Sequence, residues 1–166
     1  MPAGNYTVIE TNLLGYTDVS DSGGNPLDNR IPVVLSIGAN ATGLQFVDER
    51  LGSIAGNVKE DLDNDDSRDA PLSGVTITLL NNFRAEIATA VTGSSGSFLF
   101  VNLPAGIYTV VETNRVGFVD VSDSGGNPLD NQIQVVLGSG VNRTGLQFVD
   151  ERLGSIDGTV KEDGQQ

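Results

Sequence analysis

Oxygen donors fall at alternate positions in one short stretch of this sequence, Asp61-Leu62-Asp63-Asn64-Asp65-Asp66-Ser67-Arg68-Asp69. In a tight loop alternate residues point inward, so several carboxylates converge on one point and repel one another unless a cation sits among them. Carboxylate and carbonyl oxygens suit a hard cation such as Ca2+. The spacing names Asp61, Asp63, Asp65 and Asp69 as side-chain ligands, with Ser67 supplying its backbone carbonyl. The rival reading is a solvated acidic loop, the usual state of a charge run.

The order of donors is that of an EF-hand loop, with two departures. Position 6 is Asp66 where such a loop has Gly, and position 12 is Leu72 where it has a bidentate Glu. A second acidic stretch holds Asp120, Asp123 and Asp130, and an earlier copy holds Asp18, Asp21 and Asp28. Two readings stand for it. One is a further cation site; the other is turn chemistry, with Asp side chains accepting from local backbone N–H groups and Gly-Gly and Asn-Pro marking the turn.

Composition removes most other chemistry. The 166 residues include no Cys, His or Trp. That excludes a disulfide framework, thiolate nucleophiles, Cys- or His-ligated zinc and His-based triads. A net charge of −13 argues against nucleic acid, whose phosphates are neutralised by Lys and Arg. The longest apolar runs, such as Val33-Val34-Leu35, are too short to span a bilayer. The first ten residues have no basic or apolar region of the kind a signal peptide carries.

The elements that must position the acids come in two copies. Shifted by 102, the sequence lies on itself: residues 18–29 recur at 120–131 and residues 42–54 recur at 144–156. Over the 60 pairs from Pro2/Pro104 to Asp61/Asp163, 46 are identical. The period suits an independently folded domain better than a solenoid unit. Residues 51–152 form one whole repeat, 1–50 match the second half of a preceding one, and 153–166 match the first strand of the next. The expectation is a segment of a tandem array; the rival is a half-domain completed by another chain.

Within the repeat, short β-rich segments alternate with Gly, Asn, Asp and Pro clusters. The pattern predicts strands at Ser53–Lys59, Val75–Leu80, Glu86–Val91, Ser97–Val101, Ile107–Thr113, Gln132–Leu137 and Gly145–Asp150. Val75, Ile77 and Leu79 alternate with Thr76 and Thr78, a half-buried strand. Seven strands in about 100 residues predict an all-β, two-sheet antiparallel sandwich. The aromatics Phe98, Phe100, Tyr108, Phe118 and Phe148 are assigned to its core. The junction FVDERLGSI has no Pro and one Gly, so one repeat runs almost directly into the next.

Taken together, residues 56–113 resemble the B-type repeats of the serine-aspartate repeat surface adhesins, the SdrD B-like domains. The resemblance is carried by Asp61, Asp63, Asp65, Gly74, Val75, Leu79, Gly96, Phe98, Phe100, Leu103, Gly106, Tyr108 and Val110. It departs at Lys59 and Asp66, where an aromatic and a Gly are common. It implies an Ig-like, transthyretin-like or collagen-adhesin-B-like sandwich, calcium in the loop after the first strand, and a role as a cell-surface or extracellular-matrix stalk. The related collagen-adhesin B-type domains often carry a Lys–Asn or Lys–Asp isopeptide bond promoted by a buried Glu. By resemblance that set would be Lys59, Glu112 and either Asn142 or Asp150. The alternative is a surface Lys59 and a Glu112 bonded to local groups.

These observations point to a non-enzymatic, extracellular, calcium-binding repeat module whose partners are neighbouring repeats. Two other expectations remain beside it: head-to-tail self-assembly by strand addition, and a carbohydrate- or protein-binding module of a larger secreted protein.

Overall fold

A computed structural model describes residues 1–24, 28–126 and 130–164. Those residues contain thirteen strands and no helix. Four belong to the half-repeat: β1 (Gly4–Ile9), β2 (Tyr16–Asp21), β3 (Arg30–Leu35) and β4 (Phe46–Arg50). Nine belong to the whole repeat: β5 (Gly52–Asp61), β6 (Ala70–Pro71), β7 (Thr76–Asn81), β8 (Glu86–Val91), β9 (Ser97–Leu103), β10 (Gly106–Thr113), β11 (Phe118–Asp123), β12 (Gln132–Leu137) and β13 (Asn142–Arg152).

The whole repeat is a two-sheet sandwich. One sheet has the order β12-β10-β7-β8; the other runs β11-β13-β5-β6, with β9 also on β5. All seven predicted strands form. The count was short by two, β6 and β11. The sandwich is also not purely antiparallel, because β13 runs parallel to β5, with Asn142 opposite Ser53 and Glu151 opposite Asp61. Parallel pairing needs a long crossover, and here it spans the whole repeat, joining its first strand to its last.

Alternation dictates which residues fill the space between the sheets. Ile77 and Leu79 of β7, Phe98 and Phe100 of β9, and Tyr108 and Val110 of β10 all point inward and are buried. Phe98 packs against Phe100 and Phe148 with ring centroids 6.1 and 6.4 Å apart. Phe118 only borders this core. Gly56 lets β5 close up against its sheet neighbours β13 and β9: a Cβ there would collide with the Leu146 carbonyl oxygen and the Phe98 ring. Thr92 is buried and fully bonded, donating to the Leu72 carbonyl at 2.9 Å and accepting from the Val75 N–H at 3.0 Å.

The half-repeat folds into the same pieces without their partners. β1 pairs with β3 and β2 with β4, in the registers of β10 with β12 and β11 with β13. Much of the face that the whole repeat buries is open here, although Ile31 is itself buried. Tyr6, Val8, Val33, Leu35 and Leu44 line a cavity of about 310 Å³. At the other end, residues 155–161 repeat most of the β5 sequence yet form no strand and lie exposed. β5 is held by neighbours on both sides, whereas this segment has none among the described residues, and an isolated strand is not stable.

The two units are joined without a linker. β4 ends at Arg50, β5 begins at Gly52, and the Ser139–Gly140 turn clasps the joint. Gly140 N–H donates to the Arg50 carbonyl at 2.7 Å, and Arg50 N–H donates to Ser139 Oγ at 3.2 Å. Ala105 N–H donates to Glu49 Oε1 at 3.0 Å.

Candidate metal centres

The Asp61–Asp69 loop leaves the end of β5. Asp61 is buried and acts first as an anchor: Oδ1 accepts from the Asp63 and Asn64 N–H groups at 3.1 and 2.9 Å, and Oδ2 from Asp66 N–H at 2.8 Å. Burial works to raise its pKa, but the backbone donors of Asp66, Asp63, Asn64 and Asp65 outweigh it and hold the carboxyl below its usual value. Asp63 is pushed the other way, chiefly by the Asp65 charge, then by burial and by Asp69 and Asp61.

Carboxylate oxygens of Asp61, Asp63 and Asp65 lie within 4.8 Å of one another. Asp69 turns elsewhere, accepting from Leu62 N–H at 2.7 Å and from Ser67 Oγ at 2.8 Å. Asp66 takes the left-handed conformation, φ 61°, which an Asp tolerates better than most residues. The loop thus makes the turn without the Gly that an EF-hand uses. Three convergent carboxylates on an ordered turn fit a hard cation. Asp61, Asp63 and Asp65 would hold it, with Asp69 closing the loop behind them.

The second acidic stretch is placed differently from the sequence expectation. Asp120 and Asp123 are in a strand, β11, not a loop. Asp123 Oδ1 accepts from Gly125 N–H at 2.5 Å and Asp130 Oδ1 from Gln132 N–H at 3.0 Å, which is turn chemistry. The earlier copy matches, with Asp21 bonded to Gly23 at 2.6 Å and Asp28 to Arg30 at 3.0 Å. The Asn-Pro pair of each turn lies outside the described residues.

Asp120 instead joins Glu112 and Asp150. All three are buried, and their carboxylate oxygens lie within 4.8 Å of one another. Glu112 continues the inward row of Tyr108 and Val110 on β10, and Asp150 that of Leu146 and Phe148 on β13. Burial, then the Asp150, Asp120 and Asp123 charges, push the Glu112 carboxyl up to about 9. Burial and then Asp120 push Asp150 up to about 6. Asp120 and Asp123 are also raised, burial being the first cause for each. Sequence reasoning took these residues from two separate sets. The missed signal was that acids occupy inward positions on strands.

The isopeptide set is only half assembled. Glu112 and Asp150 meet, but Lys59 alternates with buried Val58 on β5 and so lies on the outer face. The charges that act on Glu112 are all acidic. Asn142 sits at the far end of β13, where its Oδ1 accepts from Ser53 Oγ at 2.9 Å.

The fold is that of Ig-like sandwich domains. The chain belongs to the carboxypeptidase regulatory-like domain family, which matches residues 54–144. No curated protein sequence matches it. Among solved structures, the minor pilin of Streptococcus agalactiae is similar at 11% identity and a TM-score of 0.52, over 82% of this chain and 69% of that one. The TIE protein of Bacillus anthracis gives 20% identity and a TM-score of 0.48 over 92% of this chain, which spans 26% of that protein. A streptococcal ancillary pilin gives 16% and 0.47, over 92% of this chain and 46% of that one. The finer resemblance to SdrD B-like repeats rests on the motif residues alone.

Proposed function

We propose that this chain is a non-enzymatic segment of an extracellular tandem array, a stalk or spacer, with calcium in the Asp61–Asp69 loop. The observation that carries it is the joint. β4 passes into β5 through Leu51 alone, and the Ser139–Gly140 turn bonds to Arg50 from the side. A joint that short and that bonded limits bending, unlike a Gly/Ser linker. The Streptococcus agalactiae minor pilin, built on the same fold, is a further support. Calcium would quench the repulsion among Asp61, Asp63 and Asp65 and fix the segment between β5 and β7.

Small-angle scattering of the chain in calcium tests the spacer. One fixed arrangement of half-repeat and repeat is expected; a broad distribution of arrangements overturns it. The open face of the half-repeat favours one elaboration. In an array, that face takes the first half of a neighbouring repeat, from the same chain or from a second copy. Light scattering across a dilution series separates the two.

A further inference from the structure

Buried carboxylates normally find donors or counter-charges, because an unpaired one costs several kcal/mol. Among the described residues, fifteen buried side-chain oxygens have no hydrogen-bond partner. All fifteen belong to one set of positions seen twice: Glu112, Asn114, Asp120, Asp123, Asn131 and Asp150, and their counterparts Glu10, Asn12, Asp18, Asp21, Asn29 and Asp48. Not one is a nitrogen. In the whole repeat both oxygens of Glu112, Asp120 and Asp150 are unpartnered, and these residues are only 3%, 5% and 0% exposed.

We propose that Glu112, Asp120 and Asp150 form a calcium site between the two sheets, separate from the Asp61–Asp69 loop. Three strands build it. β10 belongs to one sheet and β11 and β13 to the other, so an ion there ties the sheets together. The distances suit the ion. Two oxygens bound to one Ca2+ at about 2.4 Å each can be no more than about 4.8 Å apart, and the three carboxylates lie within that limit. The ligands are oxygen only, which selects a hard cation over zinc or copper. Asp123, Asn114 and Asn131 also carry unpartnered oxygens, but among the described residues of this set only the Glu112, Asp120 and Asp150 carboxylates converge.

Two other occupants are available. Water can donate to these oxygens, but it leaves three like charges in one buried place. A proton held by Glu112 can bridge to Asp150, but it removes one charge and leaves Asp120 opposite Asp150. A divalent cation answers both the missing donors and the charge. The half-repeat repeats the arrangement: Asp18 lies opposite Asp48, and each has an unpartnered oxygen, as does Glu10.

The experiment uses the full chain with calcium alone as the probe, at pH 7.5. Calorimetric titration and thermal melting are run on the parent, on Asp63→Asn/Asp65→Asn, and on Asp150→Asn in that background. The loop variant is expected to keep a calcium-dependent rise in Tm, because the interior site does not use the loop. Adding Asp150→Asn is expected to weaken the remaining calcium affinity at least tenfold. If the loop variant no longer responds to calcium, the interior site is overturned while the loop site stands. If only the loop variant's response survives undiminished in Asp150→Asn, the ligand assignment is overturned. Should Asp150→Asn fail to fold, native mass spectrometry of the loop variant decides: at least one bound Ca2+ is expected, and none refutes the site.

Discussion

Asp120 and Asp150 face each other across the antiparallel β11–β13 ladder, both buried. Like charges directly opposite destabilise a sheet, and Glu112 adds a third carboxyl from the other sheet. The half-repeat copies the pair as Asp18 opposite Asp48. The same local bulge follows in both, between Asp120 and Ser122 and between Asp18 and Ser20. A repulsive pair kept in a core therefore has a geometry of its own, and its consequences can be measured in the metal-free chain.

The first consequence is a pH dependence. Glu112 titrates at about 9 in the fold against 4.5 as a free side chain, and Asp150 at about 6 against 3.8. A raised carboxyl pKa means that the folded state binds protons more tightly. Stability is therefore full below the free values and falls as pH rises toward the folded ones. In chelator, melting temperature is expected to drop between pH 5 and pH 8. The coupled Glu112 and Asp150 carboxyls together would cost on the order of a few kcal/mol at neutral pH. The groups facing it are Asp150, Asp120 and Asp123, all acidic, so none reverses the sign. A melting temperature that rises over that range contradicts this.

The Asp61–Asp69 loop predicts a different signature. Asp63 is raised chiefly by Asp65, with Asp69 and Asp61 adding, so neutralising it relieves strain that calcium would otherwise relieve. Asp63→Asn is expected to raise the melting temperature in chelator and to shrink the gain that calcium gives. Asp61→Asn is expected to lower it in both conditions, because Asp61 also receives the Asp63, Asn64 and Asp66 N–H groups. Paired melts in calcium and in EDTA check both. Equal behaviour of the two variants would show that the loop is only a solvated turn.

The core offers a test that no cation touches. Thr92→Val keeps the shape but strands the Leu72 carbonyl and the Val75 N–H in a buried place. The loss expected is about 1–3 kcal/mol. Gly56→Ala forces a methyl onto the Leu146 carbonyl and the Phe98 ring, where β5 meets β13. Overpacking of that kind costs about 1–3 kcal/mol. Denaturant unfolding measures both, and changes below about 0.5 kcal/mol would contradict the packing described.

Alternation made most of the fold legible. Val75, Ile77 and Leu79, or Phe98 and Phe100, declare a buried face in any short window. β11 did not declare itself, because its one fully inward residue is Asp120 and its bulge breaks the period of two. The parallel β5–β13 pair was hidden for another reason: its register joins residues 89 apart, Ser53 and Asn142, and no local pattern encodes that. The loop acids were readable since their spacing is local. Glu112, Asp120 and Asp150 were named, but in separate sets, because only the closed sandwich brings three strands to one place. A sharper sign was available in Tyr108-Thr109-Val110-Val111-Glu112, where an acid takes the next inward position after two core residues.

The joint between units gives the last prediction. The Ser139–Gly140 turn holds Arg50 by its backbone, and the Arg50 side chain lies over the Tyr16 ring with its guanidinium carbon 5.7 Å from the centroid. Gly140 has φ +67°, and a Cβ there would come within 2.7 Å of the Arg50 Cδ. Gly140→Val therefore strains the turn and pushes against Arg50 at once. Ser139→Ala removes the acceptor of the Arg50 N–H. Both changes lie on an exposed turn away from the core, so Ser139→Ala should leave the whole repeat within about 0.5 kcal/mol of the parent, while Gly140→Val should cost about 1–3 kcal/mol for a β-branched residue at positive φ. The orientation of the half-repeat against the repeat should loosen, Gly140→Val more than Ser139→Ala. Residual dipolar couplings, which report each unit's alignment separately, read this directly. Two units that keep one shared alignment in Gly140→Val would show that the continuous β4–β5 run, and not the clasp, sets the stiffness.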